Sequence, residues 1–298
     1  MNEYTQIHSY IHLILTFTIY SLNIRSVWEK EGRDMDDLKE YVVATRPWSF
    51  TAAIVPIIVT TSVLHANFLS IEFAQAIIMG ISVQAAANLT NTYFDFINGV
   101  DNKDNATAGT GEKTLVEKKV STHGLISLAV ALYMLAILSI SPLLMRCWPT
   151  LVTFVCGTLL SMFYTATPVG LKYIALGDIT IFLCFGPLLM QCTSLVITGE
   201  LKNSLYIYSI PIGLLTEGIL HANNARDIKS DTLAGASTLA TIIGFRNSYY
   251  LYVALLMGAY LSSIYIAFFY HFGCVLTILT IPLAMDLEMR FRQKNMTG

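Results

Sequence analysis

Two segments of the sequence carry polar residues at helical spacing inside otherwise apolar stretches. Gln84, Asn88, Asn91 and Asp95 follow one another at steps of four, three and four, so they share one helical face. The chain then runs through Asn98-Gly99-Val100 to Asp101. A second stripe holds Glu217, His221, Asn224, Asp227 and Asp231, with Arg226 and Lys229 beside it. Polar groups within a membrane helix are costly, carboxylates most of all. Four carboxylates brought together (Asp95, Asp101, Asp227 and Asp231) would repel one another and hold on to their protons. A hard divalent cation relieves that strain, and Mg²⁺ takes oxygen ligands, commonly one or two carboxylates plus substrate phosphates. Lys and Arg nearby complement a polyanion. The residue types therefore point to a Mg²⁺–diphosphate site at a membrane interface. A single Asn/Asp pair at a helix end is ordinarily a solvated cap, but two stripes ending on the same side argue for a shared cavity. Glu217 and His221 stay open between a self-satisfied buried pair and part of the site.

Smaller features flank these stripes. Arg46-Pro47-Trp48-Ser49-Phe50 opens an apolar run, with Pro47 suited to a helix start and Trp48 to an interfacial anchor. Arg46 is in reach of a phosphate at that end. Tyr164, Lys172 and Asp178 bracket a short central loop. Lys172 is its only basic residue, which fits a phosphate contact or simple anchoring at the membrane surface.

The elements that must position these residues are membrane spans. The 298 residues are 54% hydrophobic and 13% charged, about half the charge of a soluble domain. Disorder is excluded by the apolar content, and a net charge of -2 argues against nucleic-acid binding. Apolar runs at 48–66, 73–96, 124–143, 148–166, 174–197, 204–222, 248–269 and 272–287 predict about eight helical spans. The run at 10–24 is shorter and is open between a span, a signal-like segment and an interfacial helix. If alternate loops share a side, sixteen Lys and Arg fall on one side and only Arg146 and Lys202 on the other. The positive-inside rule makes the rich side cytoplasmic. Both long polar loops, 97–123 and 223–247, lie there, each following an even-numbered helix, as in a weak internal repeat. The five cysteines show no CxxC pair and the six histidines no zinc spacing.

At this point the motifs resemble a known family. Asn91-Thr-Tyr-Phe-Asp95-Phe-Ile-Asn-Gly99-Val-Asp101 resembles the NxxxDxxxGxD signature of the UbiA superfamily of intramembrane aromatic prenyltransferases, in its menaquinone-type version. Asn223-Asn-Ala-Arg-Asp227-Ile-Lys-Ser-Asp231 resembles the second signature, DxxxD. The Arg46-Pro-Trp-Ser-Phe opening, Tyr164 and Leu171-Lys-Tyr-Ile-Ala-Leu-Gly-Asp178 look like the animal branch, whose members make menaquinone-4. The resemblance runs from about Tyr41 to Arg292.

What the resemblance implies is an all-α polytopic bundle around a central cavity. Two Mg²⁺ ions would grip an isoprenyl diphosphate, geranylgeranyl in this branch, for attack by a naphthoquinone-type ring. By the same resemblance Asn91, Asp95 and Asp101 bind one metal, and Asp227 and Asp231 the other. Arg46, Lys113, Tyr164, Lys172, Asn224 and Arg226 then serve the substrates. The implied setting is a membrane of the endoplasmic reticulum, Golgi or mitochondrion, with the active-site loops cytoplasmic. The sequence departs from the family at Thr92, where many members carry Asp, and at Lys113, where Arg is usual. The family's ninth helix is not evident before Gly298, which leaves open a truncated or a non-catalytic, isoprenoid-binding regulatory form, and a transporter is the competing class. Residues 41–292 are the expected catalytic domain, 293–298 a polar tail and 1–40 an extension, with Met35 a natural start.

Overall fold

A computed structural model of the chain describes residues 37–101, 113–117, 119–144 and 147–293. The extension before Asp37, including the apolar run at 10–24, and the 294–298 tail lie outside the described residues. So does the whole of the 102–112 segment.

Every regular element in the described residues is helical. Helix α1, Asp37–Ala44, leads through a short 3-10 turn at Pro47–Ser49 into α2, Thr51–Val63, and the pair is bent by 49°. Helix α3 is Ile71–Ile97, α4 Thr122–Leu144 and α5 Trp148–Phe163. Helix α6, Gly177–Thr198, contains one wide π-helical turn at Cys184–Leu188, around Pro187. Helix α7 is Ser204–Arg226, α8 the short Ile228–Leu233, and α9 Leu239–Phe269. Helix α10, Phe272–Gln293, starts with 3-10 geometry over Phe272–Thr280. Helices α3, α4, α6, α7, α9 and α10 are long and apolar enough to cross a membrane, and α1–α2 makes a seventh if the bent pair is one span. The remaining expected span, 148–166, is the 16-residue α5, a shorter apolar helix.

The packing follows membrane rules. Small residues are among those that face inward, where they allow the close backbone approach that drives helix association in lipid. On α4, Ala129 and Ala136 are buried while Leu135 and Leu138 are exposed. On α3, Ala76, Ala85 and Ala86 are buried, and α3 and α4 pack along their length. Helices α6 and α7 cross closely at two glycines. A methyl on Gly186 would stand 3.2 Å from the Ser209 carbonyl, and one on Gly213 would stand 2.7 Å from the Phe182 ring.

One expected loop is mostly helix. Residues 223–247 are not a long polar connection: α7 continues to Arg226, α8 follows at once, and α9 begins at Leu239. The Asn- and Asp-rich composition reads as loop. Here it marks helix ends that run past the apolar segment. Thr238 caps α9, its Oγ1 accepting from the Thr241 amide at 3.2 Å. Gly244, at φ 74°, then breaks the helix geometry before the apolar run begins.

Candidate active site

The first polar stripe and the last residues of the second face one cavity of about 370 Å³. Its polar end gathers the final turns of α3 and α7, the start of α2, the loop before α6, and α8. Asn91, Asp95, Asp101, Asn224, Arg226, Asp227 and Asp231 all line it, together with Arg46, Tyr164 and Lys172. Gln84 and Asn88 line it too and anchor the bent entry to α2. Asn88 Nδ2 donates to the Thr45 carbonyl and to Ser49 Oγ, each at 2.8 Å, and Gln84 Nε2 donates to Ser49 Oγ at 3.2 Å. The other end is apolar, with Ala53, Met79, Val83, Leu188, Leu189 and Cys192. Trp48, expected at the interface, is part of the wall. The side chain of Lys113 lies outside the described residues.

Two of the acidic residues, Asp95 and Asp227, are held by basic partners. Lys172 Nζ donates to both oxygens of Asp95 at 3.0 Å, and Tyr173 OH donates to Asp95 Oδ1 at 2.6 Å. Arg226 grips its neighbour Asp227 with two bonds of 2.6 Å, Nε to Oδ1 and Nη2 to Oδ2. That fork geometry is one Lys cannot supply. Arg46 Nη2 donates to Thr92 Oγ1 at 3.4 Å, so the residue that replaces the common family Asp is itself in contact with the cavity's arginine. The Asp101 amide donates to the Asp95 carbonyl at 3.0 Å, which folds Asp101 back beside Asp95.

Electrostatics follow from burial. Burial alone would lower the Lys172 ammonium, but the charges of Asp95, Asp231 and Asp101 outweigh it and hold the pKa above its ordinary value. Tyr173 is raised, by burial first and then by the Asp95 charge. Burial also lifts Asp231 to about 6, with Asp227 and Asp95 pushing it up while Lys172 and Arg226 oppose them.

Four oxygens of the cavity residues are buried without a hydrogen-bond partner, Asn91 Oδ1, Thr158 Oγ1, Tyr164 OH and Asp231 Oδ2, the first and last of them from the two polar stripes. Buried polar atoms are normally satisfied. Orphaned oxygens within an oxygen-rich set suit a hard cation such as Mg²⁺.

Behind the cavity wall sits a second polar group. His221 Nδ1 lies 2.7 Å from Asp178 Oδ2, and Asn224 Nδ2 reaches Asp178 Oδ1 at 3.4 Å. Glu217 completes the cluster. The second stripe therefore divides: Asn224, Asp227 and Asp231 face the cavity, while Glu217 and His221 turn toward Asp178 on α6. Pairing within α7 is not what holds His221. Its partner comes from 43 residues earlier in the chain, a distance no helical periodicity reports. Tyr173 was missed for a similar reason, being one of 16 tyrosines with no spacing to mark it.

The description "UbiA prenyltransferase family" matches residues 50–295. The chain belongs to the UbiA prenyltransferase family. Among curated members it is similar to UbiA prenyltransferase domain-containing protein 1 of Xenopus tropicalis, 37% identical over 86% of this chain and 74% of the relative. The human protein of the same description is 35% identical over 85% and 75%. Among solved UbiA structures, a homolog from Archaeoglobus fulgidus bound to GPP and Mg²⁺ superposes with a TM-score of 0.64 at 12% identity, covering 84% of this chain and 88% of that one. A structure of digeranylgeranylglyceryl phosphate synthase gives a TM-score of 0.56 at 16% identity, over 87% and 92%. These two likenesses establish the UbiA fold.

Proposed function

We propose that the protein transfers an isoprenyl group from its diphosphate to a naphthoquinone-type aromatic ring, with Mg²⁺ as cofactor. The observation that carries this reading is the convergence of two Asp motifs, one from α3 and one from α7–α8, on the polar end of a cavity whose other end is apolar. That division suits an anionic head and a hydrocarbon tail. The Archaeoglobus homolog supports it by holding GPP with Mg²⁺.

In this reading Asn91, Asp95 and Asp101 serve one Mg²⁺, and Asp227 and Asp231 a second. Bound there, the cation supplies charge stabilisation to the departing diphosphate. Lys172, Arg226 and Arg46 add positive charge where negative charge develops, and Lys113 belongs to the same set. Tyr164 and Asn224 complete the wall around the substrates. The apolar walls keep water from the allylic cation. The carbon–oxygen bond to diphosphate breaks to leave the allylic cation, the ring carbon bonds to that cation, and the ring proton passes to the released diphosphate. The acceptor must be electron-rich, hence the reduced ring. Geranylgeranyl is the proposed donor and menaquinone-4 the proposed product, as the resemblance of the two motifs to the menaquinone-type signature implies. Residues 41–292 form the catalytic domain in this reading. The uneven split of Lys and Arg supports a cytoplasmic site, in a membrane of the endoplasmic reticulum, Golgi or mitochondrion.

The test uses the detergent-purified full chain with Mg²⁺, geranylgeranyl diphosphate and dithionite-reduced menadione. Mass spectrometry should detect menaquinone-4 after reoxidation. Asp95→Ala and Asp227→Ala should each abolish turnover. Wild-type activity in either variant rejects the metal assignment, and a product from a different ring rejects the acceptor.

A further inference from the structure

Three side chains of α7 meet one carboxylate of α6. Glu217, His221 and Asn224 follow one another at steps of four and three, on one face of the helix. Asp178 lies against that face from the start of α6. His221 Nδ1 is 2.7 Å from Asp178 Oδ2, and Asn224 Nδ2 is 3.4 Å from Asp178 Oδ1. Glu217 hydrogen-bonds to the same carboxylate. Asp178, Glu217, His221 and Asn224 are 7%, 5%, 0% and 5% exposed.

A carboxylate only accepts hydrogen bonds. Each α7 group must therefore turn a hydrogen toward Asp178: the Nδ1 proton of His221, the carboxyl proton of Glu217 and the amide hydrogens of Asn224. Asp95 and Asp227 each have a cationic partner, Lys172 and Arg226. Among the described residues, no Lys or Arg pairs with Asp178. Its buried carboxylate is satisfied by the three donors instead.

This arrangement sets Asn224 in one sense. A carboxamide can present either nitrogen or oxygen to a neighbour, and Asp178 takes the nitrogen. Asn224 is also a wall residue of the cavity. The end of the amide left for the cavity is then the oxygen. That oxygen repels a diphosphate, since both groups accept hydrogen bonds, whereas a hard cation takes carbonyl oxygens as it takes carboxylates. Asn91 brings the same kind of oxygen to the cavity from α3, and its Oδ1 is buried with no partner.

We propose that Asp178 is a positioning residue: it orients Asn224 so that the amide oxygen faces the cavity and serves the cation assigned to Asp227 and Asp231, rather than the diphosphate. This rests on the reading of the cavity as a Mg²⁺–diphosphate site. Asp178 itself stays behind the wall and touches neither cation nor substrate.

The experiment is calorimetric titration of the detergent-purified full chain with geranylgeranyl diphosphate at several Mg²⁺ concentrations. Asp178→Leu keeps the volume but accepts nothing. It should raise the Mg²⁺ concentration needed for half-maximal binding about tenfold, the scale of losing one hydrogen bond to a charged group. In an Asn224→Ala background the same substitution should have no further effect, because Asp178 acts through Asn224. Asn224→Cys puts a soft thiolate in place of the oxygen, and should shift the ion preference for diphosphate binding from Mg²⁺ toward Zn²⁺ by about tenfold relative to wild type. Should Asp178→Leu fail to fold, Asn224→Cys still decides, since it leaves the contacts of Asp178 with His221 and Glu217 in place. An unchanged ion preference in Asn224→Cys overturns the proposal. So do additive losses from Asp178→Leu and Asn224→Ala. A wild-type chain that binds no isoprenyl diphosphate with Mg²⁺ overturns the reading of the cavity and this role with it. A wild-type chain that does bind it, beside an Asp178→Leu chain with the same Mg²⁺ requirement, overturns this role alone.

Discussion

Lys172 holds both carboxylate oxygens of Asp95 at 3.0 Å, across 77 residues of sequence. It comes from the loop between α5 and α6, while Asp95 ends the polar face of α3. The contact joins the two halves of the chain at the floor of the cavity. Lys172→Met should therefore do more than weaken a surface charge. Isoprenyl diphosphate turnover should fall about 100-fold, the scale of losing one positioned donor to developing charge. Single-turnover kinetics would read it. Unchanged turnover would mean that Lys172 only anchors the loop.

Tyr173→Phe removes a single hydrogen bond, the 2.6 Å contact to Asp95. A hydrogen bond to a charged group is worth about 1.5–3 kcal/mol. The variant should lower the thermal unfolding midpoint of the detergent-solubilised protein and, with Asp95 less firmly held, lower kcat/KM about tenfold. Kinetics at saturating and limiting Mg²⁺ would show whether the loss is in metal binding.

The sequence announced the stripes because polar side chains stand out against apolar helices. Asn91, Asp95, Asp227 and Asp231 were legible for that reason, and all face the cavity. The pairings were not, although Lys172 and Arg226 themselves stood out. Lys172 was one basic residue in a loop, and the Tyr173 hydroxyl and the Asp178–His221 contact depend on α6 lying against α7 and α3. Tertiary proximity of that kind leaves no trace in spacing. Element ends suffered likewise. Composition cannot distinguish a loop from a helix that continues beyond the apolar layer, which is why 223–247 reads as a connection although most of it is helical.

Asp231, raised to about 6 by burial, must lose its proton before it can serve a cation. Mg²⁺-dependent binding of isoprenyl diphosphate should weaken below pH 6, approaching tenfold per pH unit well below it, and Asp231→Asn should flatten that part of the profile. Isothermal titration across pH 5 to 8 would measure both. Stability runs the other way. An unfolded Asp titrates near 3.9, so between about 4 and 6 the folded, metal-free protein binds more protons than the unfolded chain. Its stability should rise as pH falls through that window.

Gly213→Val should disturb the α6–α7 crossing. A Cβ there meets the Phe182 ring at 2.7 Å and the Phe182 carbonyl at 3.1 Å, so backbone as well as side chain must give way. The expected cost is about 1–3 kcal/mol, seen as a lower unfolding midpoint in detergent. Because the same two helices carry Asp178 and His221, the variant should also loosen their 2.7 Å contact.

The cavity's two ends are built by different residues. Charged groups at helix termini form one, and side chains such as Met79, Val83 and Leu189 form the other. Neither set contributes to the other's task. Chain-length preference can thus drift, by natural variation or by laboratory evolution, through substitutions at the greasy end alone. The ionising machinery can stay fixed while the enzyme's repertoire changes.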